Sequence, residues 1–335
     1  MAKPPPPYPV PAVRPIPPDI IAASVVAELQ AKPTDTVVRR IEERPPRFAE
    51  WPEGLDQRLV SALRQKGIGQ PYTHQAQAIE HAIAGRNVVV VTPTASGKTL
   101  CYNVPVLDTI IKDPSARALY LFPTKALAQD QLDELHGLIT SIGEDIGTFT
   151  YDGDTPADAR RAVRHAGHIV LSNPDMLHTA ILPHHTKWTK LFEALEYVVI
   201  DELHSYRGVF GSHLANVLRR LRRVCAFYGA NPTFILCSAT IANPDELAQA
   251  LVGDDIALVD DNGAPAGERV VVIHNPPVVN KELGIRQSSL KATRDVAARL
   301  IRAGIQTIVF APSRMRVELL LTYLRETLRN KPGDA

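Results

Sequence analysis

From Phe48 to about Val259, short runs of β-branched and aromatic residues alternate with longer amphipathic stretches. That alternation predicts βαβ units. The predicted strands are Asn87 to Val91, Ala118 to Phe122, Thr148 to Tyr151, His168 to Ser172, Tyr197 to Ile200, Thr233 to Cys237 and Ile256 to Val259. Most are nearly continuous apolar runs, the pattern of strands buried on both faces of a parallel sheet. The predicted helices include Leu100 to Lys112, Lys125 to Ile142, Ala157 to Ala166, Ser212 to Tyr228 and Asp245 to Leu251, where apolar residues recur at helical spacing. The pattern therefore predicts an α/β domain over residues 48–265 with a doubly wound, mainly parallel sheet.

The flanks read differently. Twelve of the 28 prolines fall in the first 46 residues, with an unbroken run from Pro4 to Pro7. Proline fixes φ and removes a backbone donor, so residues 1–47 read as a proline-rich arm. Within it Ile20, Ile21, Val25, Val26 and Leu29 keep helical spacing, which allows one docked helix. A Gly/Asp/Asn/Pro-rich break follows Asp260, and residues 266–286 read as a linker that contains a strand from Arg269 to His274. Residues 287–335 then predict a helix from Ser288 to Ala303, a strand from Gln306 to Ala311 and a helix from Ser313 to Arg329. One strand between two helices cannot form a sheet with its own core, so a truncated second domain is expected.

Composition narrows the class. Hydrophobic residues make up 45% and charged residues 22%, the range of soluble globular proteins. With 37 Lys and Arg against 36 Asp and Glu, the net charge of +1 creates no overall field toward a polyanion. Any nucleic-acid site must come from local patterning. Cys101, Cys225 and Cys237 are far apart with no CxxC, which excludes a disulfide framework and fits a reducing compartment. No apolar run approaches the length of a membrane span. The sequence thus reads as a soluble cytoplasmic protein without a membrane partner.

Three short segments carry chemistry. The strand ending at Val91 runs into Thr92-Pro93-Thr94-Ala95-Ser96-Gly97-Lys98-Thr99 and then a helix, the context of a phosphate-binding loop. Backbone N–H groups of Thr94, Ala95, Ser96 and Gly97 would surround phosphate oxygens, Lys98 would reach the β and γ phosphates, and Thr99 would hold Mg²⁺. The first loop position is Thr92, where the common pattern has glycine. The strand ending at Ile200 leads into Asp201-Glu202-Leu203-His204, two adjacent carboxylates at the C-terminal edge of a parallel strand. Asp201 would hold Mg²⁺ through water, and Glu202 would orient and deprotonate an attacking water. Ser238-Ala239-Thr240 follows the strand ending at Cys237, so the Ser238 and Thr240 hydroxyls could bond His204 or the acids; Thr240 could equally be a helix N-cap.

In this order and spacing the residues resemble superfamily 2 helicases of the DExH type, motors built from two RecA-like P-loop NTPase domains. Gln75 in Tyr72-Thr73-His74-Gln75, seventeen residues before Thr92, resembles the glutamine that reads adenine in that family. Its amide can pair with the N6 and N7 edge of adenine. Pro123-Thr124-Lys125, with Gln129 one helical turn on, resembles motif Ia. Asp152-Gly153 resembles the loop after the next strand, and Ser172-Asn173-Pro174-Asp175 resembles motif Ib. These loops suit the phosphates of a single strand rather than base readout. Ile308 to Arg314 resembles motif IV, the opening of the second domain. The stretch His204 to His213 with the following arginine-rich helix is similar to the Hrq and MrfA type of repair-linked DNA helicases, relatives of the RecQ-like group.

The resemblance implies an ATP-driven DNA translocase with ATP and Mg²⁺ as cofactors, acting on single-stranded DNA or a duplex with a single-stranded tail. It also implies a C-terminal motor half, with catalytic arginines and a metal-binding region, that these residues do not contain. A hydrolysis-deficient, nucleotide-gated binding fragment and an RNA helicase share the same motifs. The cluster Arg219-Arg220-Leu221-Arg222-Arg223 interleaves with Leu214, Leu218 and Leu221 at core spacing and reads as a solvated face. Arg160, Arg161 and Arg164 read likewise, His184-His185 lacks ligand partners at metal spacing, and Trp51 reads as a packing anchor.

Overall fold

The computed structural model describes residues 18–31 and 35–329 and divides the chain into two units. Residues 44–266 form one; residues 1–43 and 267–335 together form the other. The proline run Pro4 to Pro7 lies outside the described residues.

In the larger unit, α2 (Gln57–Gln65) and α3 (Thr73–Ile83) precede β2 (Val88–Val91) and α4 (Thr99–Lys112). Next come β3 (Arg117–Leu121), α5 (Lys125–Ile142), β4 (Thr148–Thr150), α6 (Ala157–Ala166), β5 (Ile169–Ser172), the short α7 (Pro174–Met176), two irregular turns over 177–187 and α8 (Thr189–Glu193). The series ends with β6 (Leu195–Ile200), α9 (Gly208–Tyr228), β7 (Thr233–Ser238), α10 (Pro244–Val252) and β8 (Ala257–Val259). All seven strands β2 to β8 join one parallel sheet in the order β4-β5-β3-β6-β7-β2-β8.

The apolar runs explain the layering. All four residues of β2 are valines and all are buried. Val88 and Val90 face a core with α2 to α5, while Val89 and Val91 face a second core with α8, α9 and α10. Each fully buried valine contributes about 1.5 kcal/mol of burial, so the sheet is held from both faces. The strand order has a functional corollary. Strands β6, β7 and β2 are adjacent, so the loops leaving their C-terminal ends converge; the loops leaving β3, β5 and β4 line the other half of the same edge. No helix among the described residues is long and apolar enough to cross a membrane.

The smaller unit departs from the expected arm and linker. Helix α1 (Pro18–Ala31) buries Ile21, Val25, Val26 and Leu29 and leaves Ile20 exposed. It is followed by β1 (Asp35–Ile41), which pairs antiparallel with all seven residues of β9 (Arg269–Asn275). A short hairpin of β10 (Val278–Asn280) and β11 (Ile285–Arg286) occupies the expected linker. Two helices, α11 (Ser289–Arg302) and α12 (Arg314–Arg329), complete the unit, and Glu28 of α1 forms an ion pair with Arg299 of α11. Residues 18–41 are thus helix and strand, because α1 buries four apolar side chains and the backbone of β1 pairs with β9 far along the chain. The strand predicted from Gln306 to Ala311 does not form. Its exposure alternates residue by residue, as in a strand, but it pairs with no strand among the described residues.

One junction in the larger unit fixes where α3 meets the sheet edge. The Gly263 N–H donates to His74 Nδ1 at 3.2 Å, and His74 Nε2 then donates to the Ser96 carbonyl at 3.1 Å. A Cβ on Gly263 would fall 2.3 Å from Thr73 Oγ1 and 2.8 Å from the Arg47 carbonyl, so only glycine lets these three segments meet. His74 is completely buried, and burial pushes its pKa down to about 4. It stays neutral in the fold while the unfolded chain protonates it near pH 6.5. The stability it carries is present above that pH and drains away as pH falls toward 4. Denaturant unfolding from pH 6.5 to 4 should therefore show a smaller loss for His74→Gln, by up to ~1.4 kcal/mol per pH unit. Identical pH slopes for the variant and the parent would contradict the buried neutral imidazole.

Candidate functional site

The candidate phosphate loop leaves β2 at Thr92 and enters α4 at Thr99. Thr92 stands where glycine is common, and the structure supplies a reason. It is fully buried, and its hydroxyl lies 2.6 Å from Ser96 Oγ, which ties the loop across its own base. Ala95 and Gly97 both adopt left-handed φ, +62° and +76°. Alternating conformations of this kind turn successive N–H groups toward one point, an anion-binding nest. The strain at Ala95 costs roughly 1–2 kcal/mol. Pro93, Thr94, Ala95 and Gly97 are exposed, whereas Ser96 is buried. Lys98 Nζ donates to the carbonyls of Thr92 and Pro93 at 2.9 and 3.0 Å, which curls it over the loop and leaves a third donor.

Helix α3 holds the loop from the side. Gln75 Nε2 donates to the Gly97 carbonyl at 2.8 Å, and its Oε1 accepts the Tyr72 N–H at 2.8 Å. A Cβ on Gly97 would lie 2.6 Å from Gln75 Nε2, so glycine is needed for this approach as well as for φ. Half of the amide's hydrogen-bonding capacity is thus used within the protein; one N–H and one lone pair remain. Tyr72 stacks on Phe48, with ring centroids 5.3 Å apart, and Phe48 is half exposed. Trp51 is tied to the Gly69 carbonyl through Nε1 at 2.9 Å and packs against the core, as a packing anchor does.

Asp201 and Glu202 follow β6, where the Asp201 N–H donates to the Leu121 carbonyl of β3. Asp201 Oδ1 accepts the Glu202 N–H at 2.8 Å, and Oδ2 lies 3.4 Å from the Tyr102 hydroxyl. Burial raises the Asp201 pKa to about 6, with the neighbouring Glu202 charge pushing the same way. Glu202 adopts φ +52°, so two of the three non-glycine residues with positive φ among the described residues, Ala95 and Glu202, belong to this edge. Backbone strain concentrates at functional sites. His204 Nδ1 lies 3.1 Å from Glu202 Oε2 without hydrogen-bond alignment.

The register of β7 on β2 sets Ser238 beside Val91, just ahead of the loop. Its hydroxyl is fully buried and has no partner among the described residues, so the expected bond from Ser238 to His204 or the acids is not made. Thr240 is exposed and is not a helix cap, since α10 begins at Pro244 behind Asn243. Thr99 opens α4 one residue after Lys98. No cluster of three His, Cys, Asp or Glu able to enclose a metal exists among the described residues.

The loops on the other half of the edge are less open than their sequence implied. Thr124 caps α5, Lys125 forms an ion pair with Asp154, and Gln129 bonds Asp133 at 3.3 Å. Pro123 is half-buried at the start of this loop. Asp152 accepts the Asp154 N–H, while Gly153 is exposed. Ser172 is a correction: its hydroxyl is buried and donates to the Tyr151 carbonyl at 2.6 Å, so it faces the sheet rather than a ligand. Pro174 is buried too, and Asn173 caps α7 by accepting the Met176 N–H, which leaves Asp175 exposed. Sequence reasoning missed the roles of His74 and Tyr102. The Tyr102 hydroxyl, fully buried, donates to Gln131 at 2.8 Å beside Asp201. The available signal for Tyr102 was its place one helical turn after Thr99.

Known proteins resemble this chain over most of its length. The chain is 54% identical over 309 residues to the uncharacterized ATP-dependent helicase YprA of Bacillus subtilis (strain 168), which covers 92% of this chain and 41% of the relative. It is 39% identical over 259 residues to the ATP-dependent helicase HRQ1 of Saccharomyces cerevisiae, 76% of this chain and 24% of the relative. Its structure superposes on the DUF1998 helicase MrfA bound to DNA and AMPPNP with a TM-score of 0.89 at 53% identity, over 93% of this chain and 43% of that one. The chain therefore spans about two fifths of the length of YprA and MrfA. The DEAD/DEAH box helicase pattern matches residues 72–247, which run from Tyr72 through the phosphate loop and the paired acids to the first turns of α10. This chain belongs to the DEAD/DEAH box helicase family.

Proposed function

We propose that these residues are the nucleotide-binding half of an ATP-driven DNA helicase motor. The observation that carries the reading is the convergence, at the ends of the adjacent strands β6, β7 and β2, of a strained phosphate loop, a paired-acid turn and an unsatisfied buried serine. In this reading the N–H groups of Thr94 to Gly97 cradle the phosphates, and Lys98 turns its ammonium from the loop carbonyls onto the β and γ phosphates. The remaining N–H and lone pair of Gln75 read the adenine edge, with Tyr72 and Phe48 beside it. Glu202 orients and deprotonates the attacking water, with His204 Nδ1 3.1 Å from its carboxylate.

The donor set suits Mg²⁺. A magnesium ion on a nucleotide keeps several waters and takes one or two protein oxygens rather than a protein cage. Thr99 and the Asp201 carboxylate offer that, and the cation would supply charge neutralisation to the phosphates. It would also favour ionised Asp201 over the neutral form that burial promotes. Exposed Thr124, Lys125, Gln129 and Gly153 on the other half of the edge would contact a single strand through its phosphates. The relatives' greater length supports a second motor half in the whole protein, whose arginines would stabilise the transition state; comparable arginine fingers are worth ~10³–10⁵ in rate. DNA is preferred to RNA as the partner because the match to MrfA with DNA, at 53% identity, is stronger than that to Mss116 with single-stranded RNA, at 20%.

Two measurements check this. In a labelled-ATP titration, Lys98→Ala should weaken binding by about 10–100-fold, the value of one or two charge-assisted hydrogen bonds; unchanged affinity would remove the phosphate-loop assignment. In the protein containing both motor halves, Glu202→Gln should retain ATP binding and lower DNA-stimulated hydrolysis by ~10²–10⁴. Hydrolysis at the parent rate would assign the general base elsewhere.

A further inference from the structure

Two sequence features that the nucleotide reading leaves unused meet on the outer face of the larger unit. The turn over Leu182–Lys187 separates two cavities of about 270 Å³ each. His184 and Lys187 line one, together with Arg160 and Arg164 of α6. His185 lines the other, together with Arg220, Arg223 and Phe227 of α9. No carboxylate lines either cavity.

The arginines of α9 divide into two kinds. Arg222 is committed to Asp254 and the Val252 carbonyl, and Arg219 to Asn216. The side chains of Arg220 and Arg223, like those of Arg164 and Lys187, have no hydrogen-bond or ion-pair partner among the described residues. Two pairs of such cations thus form a strip on either side of one turn with no carboxylate in the cavity linings, in a chain whose net charge is only +1. A polyanion would neutralise them, and phosphate contacts of this kind supply most of the affinity of nucleic-acid binding.

Phe227 makes the partner more specific. It is 77% exposed, yet its ring is held edge-on by Tyr228 at 5.0 Å and by His185 at 6.3 Å. His185 is itself fixed by its Nδ1 contact with the Tyr228 hydroxyl at 2.9 Å. An exposed aromatic on a rigid mount beside free guanidinium groups is a stacking platform for an unpaired base. An acidic peptide would use the cations and leave the ring idle, and a duplex would bring it no free base.

The strip also connects to the loops at the sheet edge. Arg160 donates to the carbonyls of Thr155 and Asp152 at 2.9 and 3.2 Å, and its guanidinium lies 5.3 Å from the Tyr151 ring. Tyr151 both lines the first cavity and precedes the Asp152-Gly153 loop. We propose that this strip is a second contact for single-stranded nucleic acid, which takes up the strand beyond the loops that follow β3, β4 and β5. The proposal rests on the reading of this chain as part of a motor that binds a single strand.

Fluorescence anisotropy with labelled oligothymidylates of six and twenty nucleotides tests it, comparing the parent chain with Arg220→Gln/Arg223→Gln and with Phe227→Ala. The hexamer should bind all three proteins alike. The 20-mer should bind the double variant about five- to tenfold more weakly at 0.1 M salt, with the salt slope lowered by about 1.4 for two lost phosphates. Phe227→Ala should weaken the 20-mer at least about fivefold. Equal binding of the 20-mer to parent and variants overturns the proposal. So does a Phe227→Ala protein with parent affinity whose 20-mer is displaced equally well by polyglutamate, since the strip would then be a general polyanion surface. Failure of the hexamer to bind the parent would instead contradict the loop reading, while the 20-mer comparison still decides the strip.

Discussion

The grip of helix α3 on the candidate phosphate loop is the constraint on which the rest of the candidate nucleotide edge depends. A strained loop relaxes unless its surroundings fix it. Here the fixing is done by two consecutive side chains, His74 to the Ser96 carbonyl and Gln75 to the Gly97 carbonyl, with Thr92 and Ser96 joined beneath. Each of these donors is buried, where a lost partner costs about 1–3 kcal/mol, so the loop cannot swing out without leaving polar groups unsatisfied. The sheet supplies the other half of the constraint. Its order puts β6 and β7 next to β2, so the acids and Ser238 reach the loop by topology rather than by any long side chain.

Much of this was legible in sequence, and the reasons differ by element. The apolar strands were plain because a parallel sheet buried on both faces demands uninterrupted runs. The loop and the acid pair were plain because their chemistry needs particular residue types at strand ends. What could not be seen was long-range. Pairing of β1 with β9 joins segments more than 200 residues apart, and nothing local in Asp35–Ile41 announces it. The missing strand at 306–311 is the converse case: its local pattern is that of a strand, but a strand also needs a hydrogen-bonded partner, and this segment pairs with none among the described residues.

The candidate nucleic-acid loops teach a similar lesson about polar residues. Ser172 and Asn173 looked available because sequence shows side-chain chemistry and not its employment. In the fold both are spent on backbone groups, the usual fate of small polar residues at strand ends and helix starts. His74 shows the reverse. It read as a neighbour of Gln75, and only its two contacts, with Gly263 and Ser96, mark it as the residue that joins the returning chain to the loop.

The central claim is that Gln75 holds the proposed phosphate cradle in shape, a role separate from its proposed contact with a base. Titration of the Gln75→Ala chain with inorganic tripolyphosphate, which has no base to read, separates the two roles. The account predicts that tripolyphosphate affinity falls by about tenfold along with that of ATP, the cost of one lost buried hydrogen bond. Tripolyphosphate bound as tightly as by the parent chain, with only ATP weakened, would show that the loop keeps its shape without Gln75 and would contradict it.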